Sequence, residues 1–239
     1  MERALNDVIL VTGANRGLGL ALVKAHLSAG DRVLGACRNP RQADELQALA
    51  KSHPGELDII QMDVADDDSV AAGARDVRSR VGRIDVLVNN AAVGGGNDGS
   101  LETLDLAEML RVLNINVLGA MRVIKSLLDR LRASPRPRVL NISSGLGAIS
   151  TLTSCQSLSY GASKAALNYV SRSLAFDLKR HGIIVVSVGP GWMRTDMGGP
   201  DAPLAPETAA NGIAALAGTL TMEHTSRWFN WDASEVTQW

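Results

Sequence analysis

"TGANRGLG", Thr12 to Gly19, decides how the rest of the chain reads. The apolar run "DVILVTG" leads into it and has the character of a buried strand ending in glycine. "GLGLALVKAHLSAG" leads out of it. Leu18, Ala21, Leu22, Ala25 and His26 recur there at helical spacing, and Gly30 supplies a stop signal. The stretch is therefore expected to join a strand to a helix. Gly13 permits a tight turn, and Gly17 and Gly19 leave the backbone bare where the helix begins. A helix N-terminus carries unpaired N–H groups and a partial positive charge, so a pyrophosphate can rest against it. Asn15, Arg16 and Leu18 complete the candidate contacts of this loop. Glycines alone would be a weak signal, since a glycine-rich turn needs no ligand. Their place, after a strand, before a helix and in the first βα unit, is what a dinucleotide site requires.

Working outward, strand and helix patterns alternate. "RVLGAC" reads as a strand, "RQADELQALAKS" as a helix, "LDIIQMD" as a strand, "DDSVAAGARDVRSRV" as a helix and "DVLVNNA" as a strand. Residues from about Glu102 to Arg132 form one long apolar-periodic stretch closed by "SPRPR". "VLNISS", "YGASKAALNYVSRSLAFDLKRHG" and "IIVVSVGPG" follow as strand, helix and strand. Such alternation with short connections predicts an α/β fold, a doubly wound Rossmann-type parallel sheet of about seven strands with helices on both faces. "GGGNDG", Gly94 to Gly99, reads as a flexible loop within it. No repeat, low-complexity tract or linker interrupts the chain, so one domain is expected over residues 1–239.

Composition narrows the function. Hydrophobic residues make up 46% of the 239, but aromatics only 3%, so the core must be aliphatic. The 24 basic and 25 acidic residues nearly cancel and form no block suited to nucleic acid or a membrane surface. The N-terminus lacks a secretory pattern, and no run reaches a membrane span of about 18 apolar residues. The expected compartment is the cytoplasm. Cys37 and Cys155 are expected to be reduced, and the four scattered histidines give no metal-ligand spacing.

The second strand speaks to the choice of dinucleotide. An NAD site usually ends that strand with a carboxylate for the adenosine ribose. Here Cys37 occupies the position and Arg38 follows. A guanidinium there, with Arg16 from the glycine loop, would pair with a 2′-phosphate, so NADP(H) is preferred and NAD(H) remains possible. The alternative is a pair of solvated surface arginines. Asp63, near the end of the third strand, could accept from an adenine amino group or cap the next helix.

"SYGASKAAL", Ser159 to Leu167, sets Tyr160 and Lys164 four residues apart, on one helix face. Such a pair shares one small volume and is suited to moving a proton. A phenol with a pKa near 10 is a poor shuttle at neutral pH, and a neighbouring ammonium would lower it. A half-buried tyrosine beside a lysine that merely extends to solvent is the plainer alternative.

"TGANRGLG", "NNAA" (Asn89–Ala92), "NINVLG" (Asn114–Gly119), "NISS" (Asn141–Ser144), "YGASK" and "PGWMRTDM" together resemble the short-chain dehydrogenase/reductase family, in its order and over nearly the full chain. "PGWMRTDMGGPDAPLAPE" and "RWFNWDASE" look more narrowly like its C-factor and sniffer-type carbonyl reductases. The resemblance implies Tyr160 as general acid/base, Lys164 as its partner and holder of the nicotinamide ribose, Ser144 as the serine that orients the carbonyl, and Asn116 as the fourth member, holding a water. It implies cofactor contacts at Val64, Asn90, Ala91, Pro190, Gly191, Met193 and Thr195. A lid is expected over residues 192–212, with Trp192 and Met197 lining a pocket for a small carbonyl or alcohol substrate. Ala92 departs from the family's usual glycine. The interval from Ser144 to Tyr160 is slightly longer than usual, and Ser143 competes with Ser144 for the serine's role. A homodimer or homotetramer is implied through the helices that hold Asn116 and Tyr160. A dinucleotide-binding signalling protein, and a dehydratase or epimerase on the same fold, are the rival readings.

Overall fold

A computed structural model describes residues 7–96 and 98–239. Seven strands form one sheet: β1 (Val8–Thr12), β2 (Arg32–Cys37), β3 (Leu57–Gln61), β4 (Val86–Asn89), β5 (Arg138–Ile142), β6 (Ile184–Gly189) and β7 (Trp228–Asn230). All pair in parallel, in the order β3-β2-β1-β4-β5-β6-β7. The expected α/β class and doubly wound topology are thus present.

The strands are buried on both faces, as a parallel sheet requires. Successive side chains point to opposite sides, so each strand feeds two cores. Ile9 and Val11 join Val86, Val88, Val186 and Val188 on one face, under helices α1 (Gly17–Ser28) and α8 (Pro206–Thr219). Leu10 joins Leu34, Leu87, Val139 and Val185 on the other. Helix α3 (Asp67–Arg80) covers that side with Val70, Ala74 and Val77, together with parts of the chain beyond β4. The short helix α2 (Asp44–Ser52) adds Leu46 to the first core. It starts later than its sequence pattern implies, because Pro40–Gln42 form a 3-10 turn before it.

The stretch from Glu102 to Arg132 is not one helix. It divides into α4 (Leu106–Leu113), a π-helical turn (Asn114–Leu118), α5 (Gly119–Ser126) and α6 (Leu128–Arg132). Asp105 caps α4 by accepting from Ala107 N–H at 2.8 Å. The long helix α7 (Leu158–Leu178) begins two residues before Tyr160 and ends through a 3-10 turn at Gly182.

Strand order reverses between β1 and β4, the neighbours that lead to opposite halves of the sheet. A crevice opens outside the carboxyl ends of strands at such a switch point, and that is where ligands bind in open α/β sheets.

Candidate active site

The glycine loop forms one wall of a cleft of ≈ 470 Å³ at this switch point. Gly13 has φ +66° and lies against β4's continuation, where a Cβ would come within 2.9 Å of Ala91 Cα. Gly19 is more constrained, since a Cβ there would lie 2.1 Å from the Gly13 carbonyl. The loop is pinned from the side by Asn90, whose Nδ2 donates to the Thr12 carbonyl at 2.9 Å. Thr12 Oγ1 in turn accepts from the N–H groups of Asn90 and Ala91 at 3.0 and 3.1 Å. Asn90 and Ala91 therefore border the cleft, but the Asn90 amide is spent on shaping the loop.

Asn15, Arg16, Gly17, Leu18 and Gly19 all line the cleft. At one end stand Cys37, Arg38, Asn39, Gln42, Asp63 and Val64. Arg38 is exposed and makes no ion pair among the described residues. Arg16 pairs with Asp196 on the opposite wall, so a phosphate taking Arg16 must share it or displace that carboxylate. Asp63 does not cap α3. Asp66 does, accepting from Ser69 N–H at 2.6 Å, while Asp63 Oδ1 accepts from Ala65 N–H at 3.0 Å. Both cysteines are free, Cys37 buried and Cys155 exposed. Burial pushes the Cys37 thiol up, against a lowering backbone hydrogen bond from Asn39.

At the other end, Tyr160 and Lys164 face the cleft beside Ile142, Ser143, Pro190, Met193 and Thr195. Lys164 Nζ lies 5.4 Å from the Tyr160 ring centroid and donates to the Ile142 carbonyl at 2.8 Å. Only 2% of the lysine is exposed, and burial pulls its ammonium down to about 8. The phenol moves the other way. Burial pushes Tyr160 above its ordinary value, and a hydrogen bond with Ser144 opposes this. The net direction is upward instead of the lowering expected beside a lysine, because removing the phenolate from water is the largest effect. The Ser144 hydroxyl bonds Tyr160, whereas Ser143 Oγ is buried and unpartnered on the cleft wall.

Asn116 does not border the cleft. It is 2% exposed and braces the site from behind. Its Oδ1 accepts from Val93 N–H at 2.8 Å, and its Nδ2 donates to the Val93 carbonyl at 2.9 Å and to Ser163 Oγ at 3.0 Å. The π turn brings that amide between the chain beyond β4 and helix α7. Such turns are frequent at functional sites.

The segment expected as a lid divides in two. Residues 206–212 are the first turns of α8, with Ala209 and Ala210 buried. The preceding part is an excursion closed at its base by the Met193–Leu204 bridge and by Arg194 N–H donating to the Leu204 carbonyl at 2.9 Å. Thr195 packs on the glycine loop, its Cγ2 3.4 Å from where a Gly17 Cβ would stand. Met197 lines the cleft. Trp192 does not; it is exposed and donates its indole N–H to the Gly198 carbonyl. Gly191, with φ +80°, turns the chain toward Leu204 and Trp231 instead of lining the cleft.

Sequence reasoning missed Asp196, Ile115, Ile142 and Asp98. It read Gly94–Gly99 as a flexible loop; Asn97 lies outside the described residues, but Asp98 is buried and hydrogen-bonded to Ser157 and to the backbone of Ser159. Its position in a glycine-rich run gave no sign of that. Among the described residues no group of three His, Cys, Asp or Glu side chains could hold a metal ion, and no helix is long and apolar enough to cross a membrane.

A glycine loop at the switch point and a tyrosine–lysine pair across the cleft define a class, and the comparisons agree. The model of the short chain dehydrogenase family matches residues 7–203, and the chain belongs to that family of oxidoreductases. Within it the likeness is to carbonyl reductases. The NADPH-bound carbonyl reductase from chicken fatty liver superposes with a TM-score of 0.92 at 31% identity, over 98% of this chain and 100% of that one. The carbonyl reductase Sniffer of D. melanogaster gives the same TM-score, identity and coverage. The C-signal protein of Myxococcus xanthus is 39% identical over 155 residues, 65% of this chain and 93% of that protein.

Proposed function

We propose that the protein is an NADP(H)-dependent carbonyl reductase or alcohol dehydrogenase acting on a ketone, aldehyde or secondary alcohol. The observation that carries this reading is the placement of Tyr160 and Lys164 on one cleft with the glycine loop. The residues present suit a dinucleotide. Gly19 lets the loop close tightly on itself, since a Cβ there would meet the Gly13 carbonyl at 2.1 Å, and among the described residues Ser143 Oγ is a buried polar atom lacking a partner and Arg38 is a cation without an ion pair at the far end.

The dinucleotide would supply or take up the hydride. The chain's own groups handle the rest. In the direction of reduction, Tyr160 donates its phenolic proton to the oxygen of the substrate as that oxygen becomes an alkoxide. Its raised pKa keeps the phenol protonated until then. Ser144, bonded to Tyr160, orients the same oxygen. Lys164, largely protonated at pH 7 with a pKa of about 8, stabilises the phenolate that remains and holds the ribose hydroxyls. Asn116 keeps α7 and the chain at Val93 in register. The excursion from Trp192 to Leu204 covers the substrate, with Met197 on its inner side.

Arg38→Ala is expected to weaken NADPH binding about tenfold and leave NADH nearly unchanged, since a charge-assisted phosphate contact contributes roughly 1.5 kcal/mol or more. Titration by nicotinamide fluorescence measures both, and equal effects would make Arg38 a bystander. We also propose self-association through α7, where Tyr169 and Phe176 lie two turns apart with 77% and 66% exposure.

The first test is paired titration with NADPH and NADH, followed by a panel of carbonyls read at the nicotinamide absorbance. Binding with oxidation by a carbonyl supports the reductase. The likeness to the C-signal protein favours a second reading, a dinucleotide-binding signalling protein. Tight binding without turnover across the panel would favour it.

A further inference from the structure

We propose that Asp98 is a positioning residue for Tyr160, capping the catalytic helix from a remote loop; this rests on the reductase reading above. A helix begins with N–H groups that have no intrahelical acceptor, and a buried start needs them satisfied. In α7 the residue at the cap position, Ser157, makes no side-chain cap of its own. Asp98 supplies what is missing. Its Oδ2 accepts from Ser159 N–H at 2.7 Å, and its backbone carbonyl accepts from Leu158 N–H at 3.2 Å. Its Oδ1 accepts from the Ser157 hydroxyl at 3.1 Å. Three successive residues immediately before Tyr160 are thereby fixed by one aspartate.

The arrangement is specific in its surroundings. Asp98 is 5% exposed and Ser159 0%. A Cβ on Gly95 would fall 2.6 Å from Asp98 Oδ2 and 3.2 Å from Ser159 Cβ, so glycine there lets the carboxylate reach the helix. A carboxylate at a helix N-terminus also meets the favourable end of the helix dipole. The same loop is held at its other end by Asn116 on Val93. It acts as a strap from the end of β4 to the first turn of α7, and the tyrosine sits in that turn.

The test compares Asp98→Ala with Asp98→Asn, reading kcat, cofactor affinity and amide hydrogen exchange. Asp98→Ala is expected to lower kcat about 10- to 100-fold, in the range that small misplacements of a catalytic group produce. Cofactor affinity should stay within about twofold, and exchange should rise over residues 158–161 but not over 168–175. Asp98→Asn should recover most of kcat, because its amide oxygen still accepts from Ser159 N–H and Ser157 Oγ can accept from the amide. Wild-type kcat and exchange in Asp98→Ala would overturn the proposal, as would Asp98→Asn being equally impaired. If Asp98→Ala fails to fold, Asp98→Asn decides alone: kcat near wild type with unchanged exchange at 158–161 supports the proposal, and a tenfold loss overturns it. A wild-type protein that binds neither dinucleotide would sink the reductase reading instead, and the exchange comparison would still decide the cap.

Discussion

Tyr160→Phe is expected to reduce turnover about 10²- to 10⁴-fold, the range that a positioned general acid contributes. Cofactor binding should change little, because the substitution removes one oxygen and keeps the ring. The ring stays beside Lys164, whose Nζ is 5.4 Å from its centroid and is anchored independently on the Ile142 carbonyl at 2.8 Å. Burial and the Ser144 bond act on the hydroxyl, and both influences vanish with it. Steady-state kinetics beside a fluorescence titration would separate the two effects. Full activity in Tyr160→Phe would show that the proton comes from another group.

Lys164→Met is expected to do two opposite things. Turnover should fall steeply, since the charge that stabilises the phenolate is gone. Stability at pH 7 should rise by about 1–3 kcal/mol. The lysine is held in the folded state with a pKa of about 8 against an ordinary value of 10.5. At 1.36 kcal/mol per unit this is a penalty of about 3 kcal/mol on the charged form, reduced by the lost hydrogen bond to Ile142. The sign follows from proton counts. Between about pH 8 and 10.5 the unfolded chain binds more protons at this group than the folded one, so stability rises with pH. Below about pH 8 the penalty is fully present. Urea unfolding at pH 7 and pH 10 measures this. The contribution of Lys164 to that rise should disappear in Lys164→Met; an unchanged pH slope, or a less stable variant at pH 7, would contradict the account. On the proposed reading, the lysine trades stability for chemistry, as active-site groups commonly do.

The joint of β1, glycine loop and α1 was legible because everything that makes it lies within about twenty consecutive residues. Tyr160 and Lys164 were legible for the same reason: helical spacing alone puts them on one face. Helix limits were read less well. The stretch from Glu102 to Arg132 carries apolar periodicity throughout, yet a π turn at Asn114–Leu118 breaks it. Periodicity does not register one extra residue in a turn; the partners of Asn116, Val93 and Ser163, do.

The sequence by itself therefore determined the doubly wound class, the place of the dinucleotide loop and the tyrosine–lysine pair, because short-range spacing and local backbone chemistry encode each of them. Tertiary structure alone decided which polar groups support the site. Asp98 meets Ser159 across 61 residues and Arg16 meets Asp196 across 180. It also decided the direction in which Tyr160 and Lys164 titrate. Burial sets that direction, and burial belongs to the packed molecule, where distant segments together exclude water from a side chain.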